Sequence, residues 1–244
     1  MKLVCAGASS SGNSFALQSN SGQTLFLEAG CHLKDIEKQL DFKIDFSNAW
    51  LLVSHSHGDH SGYIREFARR GITCCSNESV HDKYKDIIVN PLNEGTITKF
   101  GEFDVLPFLV EHDVPDYGYL IRHPEMGSLV FFTDAYNVPY RFVGVKHWLV
   151  EVNYEDKLLN DNWISGRIDK AQRDRLMLSH FSLDNCISYL HECIAEHSIT
   201  IIATHLSSRN ADPSYVKAKL EHEFGVPTYI AKKGLNIELT KKGL

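Results

Sequence analysis

The chain has 244 residues, a formal net charge of −6, 23% charged residues and 43% hydrophobic ones. These are the proportions of an ordinary soluble globule, and the acidic balance argues against a broad basic platform for long duplexes, which needs clustered Lys and Arg. No apolar run is long enough to span a bilayer and the N-terminus reads as a short strand, so no membrane association, a cytoplasmic location and reduced thiols are expected.

The first half is rich in short β-prone runs. Lys2–Ala6, Phe15–Gln18, Thr24–Glu28 and Trp50–Ser54 predict strands. Helices are expected near Lys34–Leu40 and Tyr63–Arg70. Further strands follow at Thr96–Phe100, Phe103–Leu109, Tyr117–Ile121, Leu129–Phe132 and Trp148–Val152. The polar stretch Glu155–Arg175 reads as a solvated connection, with a mobile lid or dimer contact as the sharper alternative. Leu183, Ile187, Leu190 and Ile194 recur at helical spacing after Ser182, a good N-cap. Thr200–Thr204 is a buried strand. The last helix is bounded by Asp212, Pro213, Gly225 and Pro227, and Thr228–Ala231 and Asn236–Leu239 close the chain. No internal repeat or linker divides it, so a single domain over 1–244 with two packed sheets and outer helices is expected. Cys5, Cys31, Cys74, Cys75, Cys186 and Cys193 show no C-x-x-C spacing and read as small buried hydrophobes.

One stretch stands apart. The apolar run Ala49–Val53 leads into His55-Ser56-His57-Gly58-Asp59-His60. Side chains alternate along a strand, so His55 and His57 leave the sheet on the same side, with Asp59 and His60 on the turn beyond. Three imidazoles and a carboxylate at this density are the donors of a metal site and not a fold device. Other donors sit where strands are expected to end: His112 after Leu106–Val110, Asp134 after Leu129–Thr133, His180 after Leu176–Ser179 and His205 after Ile201–Thr204. Strand ends along one sheet edge converge on one cleft, and a carboxylate such as Asp134 suits a bridge between two cations.

The H-x-H-x-D-H motif with a later His, Asp and His resembles the metallo-β-lactamase superfamily. The likeness runs from Met1 to the closing strands. Ser9-Ser10-Ser11-Gly12-Asn13 resembles the YycJ (WalJ) branch and its phage-encoded relatives. Ser179–Ser182 and Thr204–Arg209 resemble the last two motifs of ribonuclease Z. The resemblance implies an α/β fold, a four-layer αββα sandwich of two mixed sheets with outer helices. It also implies two divalent metal ions, zinc first, with manganese or iron as alternatives. His55, His57 and His112 would hold one metal and Asp59, His60 and His205 the other. Asp134 would bridge them. His180 would be the proton donor to the leaving group, or alternatively a metal ligand. Asp59, Asp134 and His180 are thus the expected catalytic residues, and Ser11, Asn13, Ser207 and Arg209 are candidate phosphate contacts. Each of these four has a turn or capping role as its plainer alternative.

The departures narrow the expectation. Asp134 is not Cys, unlike in several true β-lactamases. His57 stands where redox relatives carry Glu, which favours hydrolysis. Only 21 residues separate His112 from Asp134, leaving no room for the tRNA-clamping arm of ribonuclease Z. The expected activity is metal-dependent phosphodiester hydrolysis on nucleotides or short single-stranded nucleic acid. That covers a nuclease or a cyclic-nucleotide phosphodiesterase of the phage anti-defence kind. A glyoxalase II-like thioester hydrolase is the alternative, and a non-catalytic binding protein ranks last because all seven ligand positions are intact. Relatives are often homodimers, so the resemblance offers a homodimer as one arrangement, but no interface patch stands out in the sequence.

Overall fold

The computed structural model describes residues 1–193 and 197–242. Ile194, the last position of the expected helical stripe, lies outside the described residues. Strands β1 (Lys2–Ser9), β2 (Gly12–Gln18) and β3 (Thr24–Leu27) form an antiparallel meander. After α1 (Leu33–Gln39), β4 (Ala49–Leu52) joins β3 in parallel. The short helices α2 (Gly58–Ser61) and α3 (Ile64–Arg69) precede β5 (Thr73–Ser76). Helix α4 (Glu78–Lys83) precedes β6 (Val89–Pro91), and both strands continue the parallel run.

The second half repeats this plan. An antiparallel run comprises β7 (Thr98–Phe100), β8 (Phe103–Val110), β9 (Asp116–His123) and β10 (Gly127–Phe132). Strand β11 (His147–Glu151) then pairs in parallel with β10. Helices α5 (Asp156–Ile164), α6 (Lys170–Ser179) and α7 (Leu183–Cys193) lead to β12 (Thr200–Thr204), and α8 (Pro213–Phe224) leads to β13 (Thr228–Ile230), again in parallel. Strand β14 (Asn236–Glu238) crosses back to pair with β1. The sheet orders are β14-β1-β2-β3-β4-β5-β6 and β13-β12-β11-β10-β9-β8-β7.

Period-two alternation builds the layers. In β10, Leu129 and Phe131 enter the core between the sheets, beside Phe15 and Leu17. Val130 and Phe132 face the outer core under α7 and α8, with Trp148 and Leu190. In the first sheet, Leu52 points inward while Leu51 and Val53 pack outward against Ile36 of α1 and Phe67 of α3. The result is the expected αββα sandwich. The expected caps of α8 are also present: Asp212 Oδ1 accepts from Ser214 N, and Gly225 ends the helix at φ 63°. Among the described residues, no helix is long and apolar enough to cross a membrane.

Two expectations are corrected. Glu155–Arg175 is not a solvated connection, because it forms α5 and most of α6. Asp169 accepts from Gln172 N to cap α6, and Leu159, Ile168 and Leu176 pack on Tyr154. Likewise Leu176–Ser179 is not a strand but the last turn of α6. His180 therefore follows a helix, its N–H donating to Leu176 O at 3.1 Å. The segment Thr73–Pro91 also holds β5, α4 and β6 where no element was expected. There, Asn77 caps α4 by accepting from Val80 N.

Candidate metal centre

The carboxyl ends of five strands meet at one edge of the sandwich. Glu28 follows β3, His55–His60 follow β4, Asp134 follows β10, Glu151 ends β11 and His205 follows β12. Open α/β sheets gather ligands at such ends, where loops leave the sheet. Three of these residues turn sharply: Glu28, Asp134 and His205 have φ of 67°, 52° and 56°. L-residues rarely adopt this left-handed backbone, and its concentration here is of the kind found at functional sites.

The loop after β4 is pinned from several sides. Ser61 Oγ donates to His57 O at 2.8 Å and meets the Tyr84 hydroxyl at 2.9 Å. Ala29 N donates to His60 O at 2.7 Å. Gly30 makes that contact sterically feasible, because a Cβ at that position would lie 1.7 Å from Asp59 O.

The donors form two adjoining groups. His55, His57, His112 and Asp134 bring one ligand atom each to within 4.8 Å of one another, and so do Asp59, His60, Asp134 and His205. Asp134 belongs to both. Its Oδ2 lies 3.7 Å from His55 Nε2, 4.0 Å from His112 Nε2 and 3.3 Å from His60 Nε2. His57 Nδ1 faces His112 Nε2 at 3.3 Å. Asp59 Oδ2 lies 3.3 Å from His60 Nε2 and 3.8 Å from His205 Nε2. A third group contains Asp134, Glu151, His180 and His205.

A carboxylate stands behind each of three imidazoles. His55 Nδ1 lies 2.9 Å from Ser54 Oγ and 3.5 Å from Asp116. His60 Nδ1 lies 3.4 Å from Glu28 Oε2. His205 Nδ1 donates to Glu151 Oε1 at 2.9 Å. The Ser54 bond to His55 and the Glu151 bond to His205 each engage Nδ1 and leave Nε2 facing the centre, although His205 Nδ1 also lies 2.8 Å from Asp134 Oδ1. Both His55 Nε2 and His205 Nε2 are buried there with no hydrogen-bond partner. The orphaned His55 Nε2 faces Asp134 Oδ2 at 3.7 Å and the orphaned His205 Nε2 faces Asp59 Oδ2 at 3.8 Å, and imidazole nitrogens facing carboxylates in this way fit divalent cations.

The metal-free electrostatics divide the imidazoles: burial lowers His60 and His205, but the Asp134 charge outweighs it and raises both, so each must release a proton to ligate, whereas His55 is already neutral. Burial, then the charge of His60, pushes His55 down to about 3, leaving it in the neutral, ligating form. Burial raises Asp134, but His205 and His60 outweigh it and hold the carboxyl well below its usual range. Burial raises Asp59, but the His205 and His60 imidazoles beside its carboxylate outweigh that and lower it. For His180, burial acts downward but the adjacent Glu151 charge wins and raises it. Its Nδ1 donates to Glu151 Oε1 at 2.7 Å.

The four candidate substrate contacts are placed differently. Ser11 is exposed at the β1–β2 turn, with its hydroxyl 2.8 Å from Ser9 Oγ. Asn13 is buried, donating to Ser9 O and lying 3.0 Å from His60 Nε2. Ser207 Oγ accepts from Arg209 N and Asn210 N, which is the capping role. Arg209 is exposed. Beside His112 a cleft of about 640 Å³ opens, walled by Tyr136 and Tyr140.

Sequence reasoning did not single out Glu28, Asp116 or Glu151. For Glu151 a signal existed: it ends the apolar run Trp148–Val150 as Asp134 follows Leu129–Phe132.

No family model matches the chain. A curated relative, exodeoxyribonuclease YycJ of Bacillus anthracis, is 25% identical over 203 residues, covering 76% of this chain and 75% of that protein. The metallo-β-lactamase fold protein YhfI of Bacillus subtilis superposes with a TM-score of 0.73 at 14% identity, over 97% of this chain and 98% of that one. A diphosphatase of the PhnP family superposes at 0.69 and 15% identity, over 97% and 96%. The chain has the metallo-β-lactamase fold, and the proteins it resembles include metal-dependent hydrolases.

Proposed function

We propose that the protein is a binuclear metal-dependent phosphodiester hydrolase acting on nucleotides or single-stranded nucleic acid. The observation that carries this is Asp134, one carboxylate oxygen of which is shared by imidazoles of two donor groups. His55, His57 and His112 would hold one cation and Asp59, His60 and His205 the other, with Asp134 common to both. The imidazole and carboxylate donors, without thiolate, suit zinc first and also manganese or iron. When bound, such a pair would supply Lewis acidity toward phosphoryl oxygens and would lower the pKa of water to about 7.

The chain's own residues do the rest. Asp59, partly open to solvent and held ionised, accepts a hydrogen bond from the attacking water and orients it. His180 carries a proton on Nδ1, fixed by Glu151, so its Nε2 is free to donate a second proton to the departing oxygen. The raised affinity of His180 for protons favours this role. Tyr136 and Tyr140 flank the cleft where a nucleobase would lie. Support for a phosphodiester comes from the exodeoxyribonuclease and diphosphatase relatives.

The test is a panel on metal-loaded protein: single-stranded DNA and RNA, cyclic mononucleotides, cyclic dinucleotides and a glutathione thioester. Phosphodiester cleavage is expected, with close to two metals per chain. Asp134→Asn keeps a residue type that tolerates positive φ and should lose both the second metal and turnover. Cleavage of the thioester alone, or full activity in Asp134→Asn, overturns the proposal.

A further inference from the structure

A second cavity, of about 410 Å³, lies between the α5–α6 turn and the loop after β12, and two guanidinium groups line it, Arg167 and Arg209, with Asn162 and Ile168. It shares no residue with the donor groups of the metal centre. Its wall is built and not incidental. Asn162, 4% exposed, donates from Nδ2 to Arg209 O and to Asn210 Oδ1, both at 2.9 Å. Its Oδ1 accepts from Arg167 Nη1 at 3.0 Å, and its backbone carbonyl accepts from Arg167 N at 2.9 Å. One buried amide therefore holds both arginine-bearing segments at the same cavity.

The charges in this cavity are unspent. Arg173 pairs with Asp174 at 3.1 Å, and Arg141 pairs with Glu192. Among the described residues, neither Arg167 nor Arg209 has a carboxylate within 4.0 Å. No acidic side chain lines the cavity either. In a chain of net charge −6, two unneutralised guanidinium groups at one opening form an anion site, and the planar fork of Arg matches phosphate oxygens.

The chain also limits how far this cavity lies from the chemistry. Arg209 is four residues beyond His205, so at about 3.3–3.6 Å per residue their Cα atoms are no more than roughly 14 Å apart. We infer that Arg167 and Arg209 clamp a second phosphate of the substrate, one that is not the phosphate being cleaved. This deepens the phosphodiesterase proposal and rests on it in placing the reacting phosphate at the metal centre. It selects an oligonucleotide over a cyclic mononucleotide. The phosphate held there is either internal to the strand or terminal.

The experiment measures binding of a fluorescent single-stranded oligodeoxynucleotide to the metal-loaded protein across a salt series. One set of strands carries a terminal phosphate and the other does not. Arg167→Gln and Arg209→Gln should each weaken binding several-fold and flatten the log–log salt slope by about 0.7, the value for one lost single-strand phosphate contact. Arg69→Gln, on the exposed face of α3, should match wild type. A loss confined to terminally phosphorylated strands assigns the terminal phosphate; an equal loss with both assigns an internal one. Affinity and slope unchanged in both arginine variants overturn the clamp. Wild type that cleaves a cyclic mononucleotide yet binds no oligonucleotide overturns the clamp alone. Binding with the expected slopes but no phosphodiester cleavage overturns the phosphodiesterase proposal, and with it the distinction between held and cleaved phosphate, leaving a strand-binding site at Arg167 and Arg209.

Discussion

Glu151 is fully buried and serves four donors at once. Oε1 accepts from His180 Nδ1 and His205 Nδ1, at 2.7 and 2.9 Å. Oε2 accepts from Ala135 N and Phe181 N, at 2.9 and 3.2 Å. Glu151→Gln preserves the shape and removes the charge, and neither orientation of the new amide satisfies these partners. With its oxygen toward the imidazoles, its NH2 opposes two backbone N–H groups. Each unsatisfied buried donor costs about 1–3 kcal/mol, so about 2–6 kcal/mol is lost. That is a large share of a total stability of roughly 5–15 kcal/mol, and a melting decrease on the order of 10 °C follows. With its NH2 toward the imidazoles, both rings must switch tautomer. His205 Nε2 then carries a proton and cannot ligate, and His180 loses the anion that fixes its donor nitrogen. A misdirected catalytic imidazole typically costs about 10²–10⁴-fold in turnover. The assay is threefold: thermal melting of metal-free protein, metal content after loading, and kcat on a single-stranded oligonucleotide. Glu151→Gln with wild-type melting, metal content and kcat would refute the reasoning.

Gly30→Ala places a methyl group 1.7 Å from the Asp59 carbonyl. The Asp59–His60 turn must move, at about 1–3 kcal/mol, so metal content should fall toward one per chain by elemental analysis; two retained metals would show that the contact is not limiting. His147 is buried with Nε2–H donating to Met126 O and Thr240 O, and burial pushes it down to about 4. A depressed histidine pKa means that the unfolded chain takes up a proton the folded one refuses. His147 therefore costs nothing above pH ~6.5, and stability falls as pH drops from there toward 4, by about 3 kcal/mol at the lower end. His147→Gln should flatten that part of the acid limb in denaturant titrations, and an unchanged slope would refute the assignment. Burial raises the thiols of Cys5, Cys74 and Cys75 to about 12, and Cys186 is also raised. Thiolate is therefore scarce at pH 8, and iodoacetamide should modify half-buried Cys31 first and the others only on unfolding. Rapid labelling of several thiols in folded protein would contradict this packing.

Donor density and strand-end placement made the donor cluster readable. His55–His60 are contiguous, and His112, Asp134 and His205 each follow an apolar strand that the structure contains. Glu28 and Asp116 were not readable, because acidic residues close to strand ends are common and nothing local distinguishes them. Their role depends on pairing between distant segments. The parallel register Leu27↔Leu52 carries Glu28 alongside the exit of β4, where it accepts from Ser54 N at 3.1 Å and faces His60. His180 does join one of the donor groups, but from a helix end and not from the expected strand end. Leu176–Ser179 looks like a strand as an isolated run, but the cap at Asp169 and the packing of Leu159 and Ile168 make it the end of α6. That correction bears on mechanism. A residue after a helix C-terminus sits where backbone carbonyls point outward and favour a cationic side chain, and Glu151 adds a full negative charge on the same ring. Both effects act to keep His180 protonated, the state its proposed role as proton donor calls for, and neither is visible in the few residues around it. The donor motif thus marks the candidate metal centre, while Glu151, which ends a different strand, holds Nδ1 of both His180 and His205.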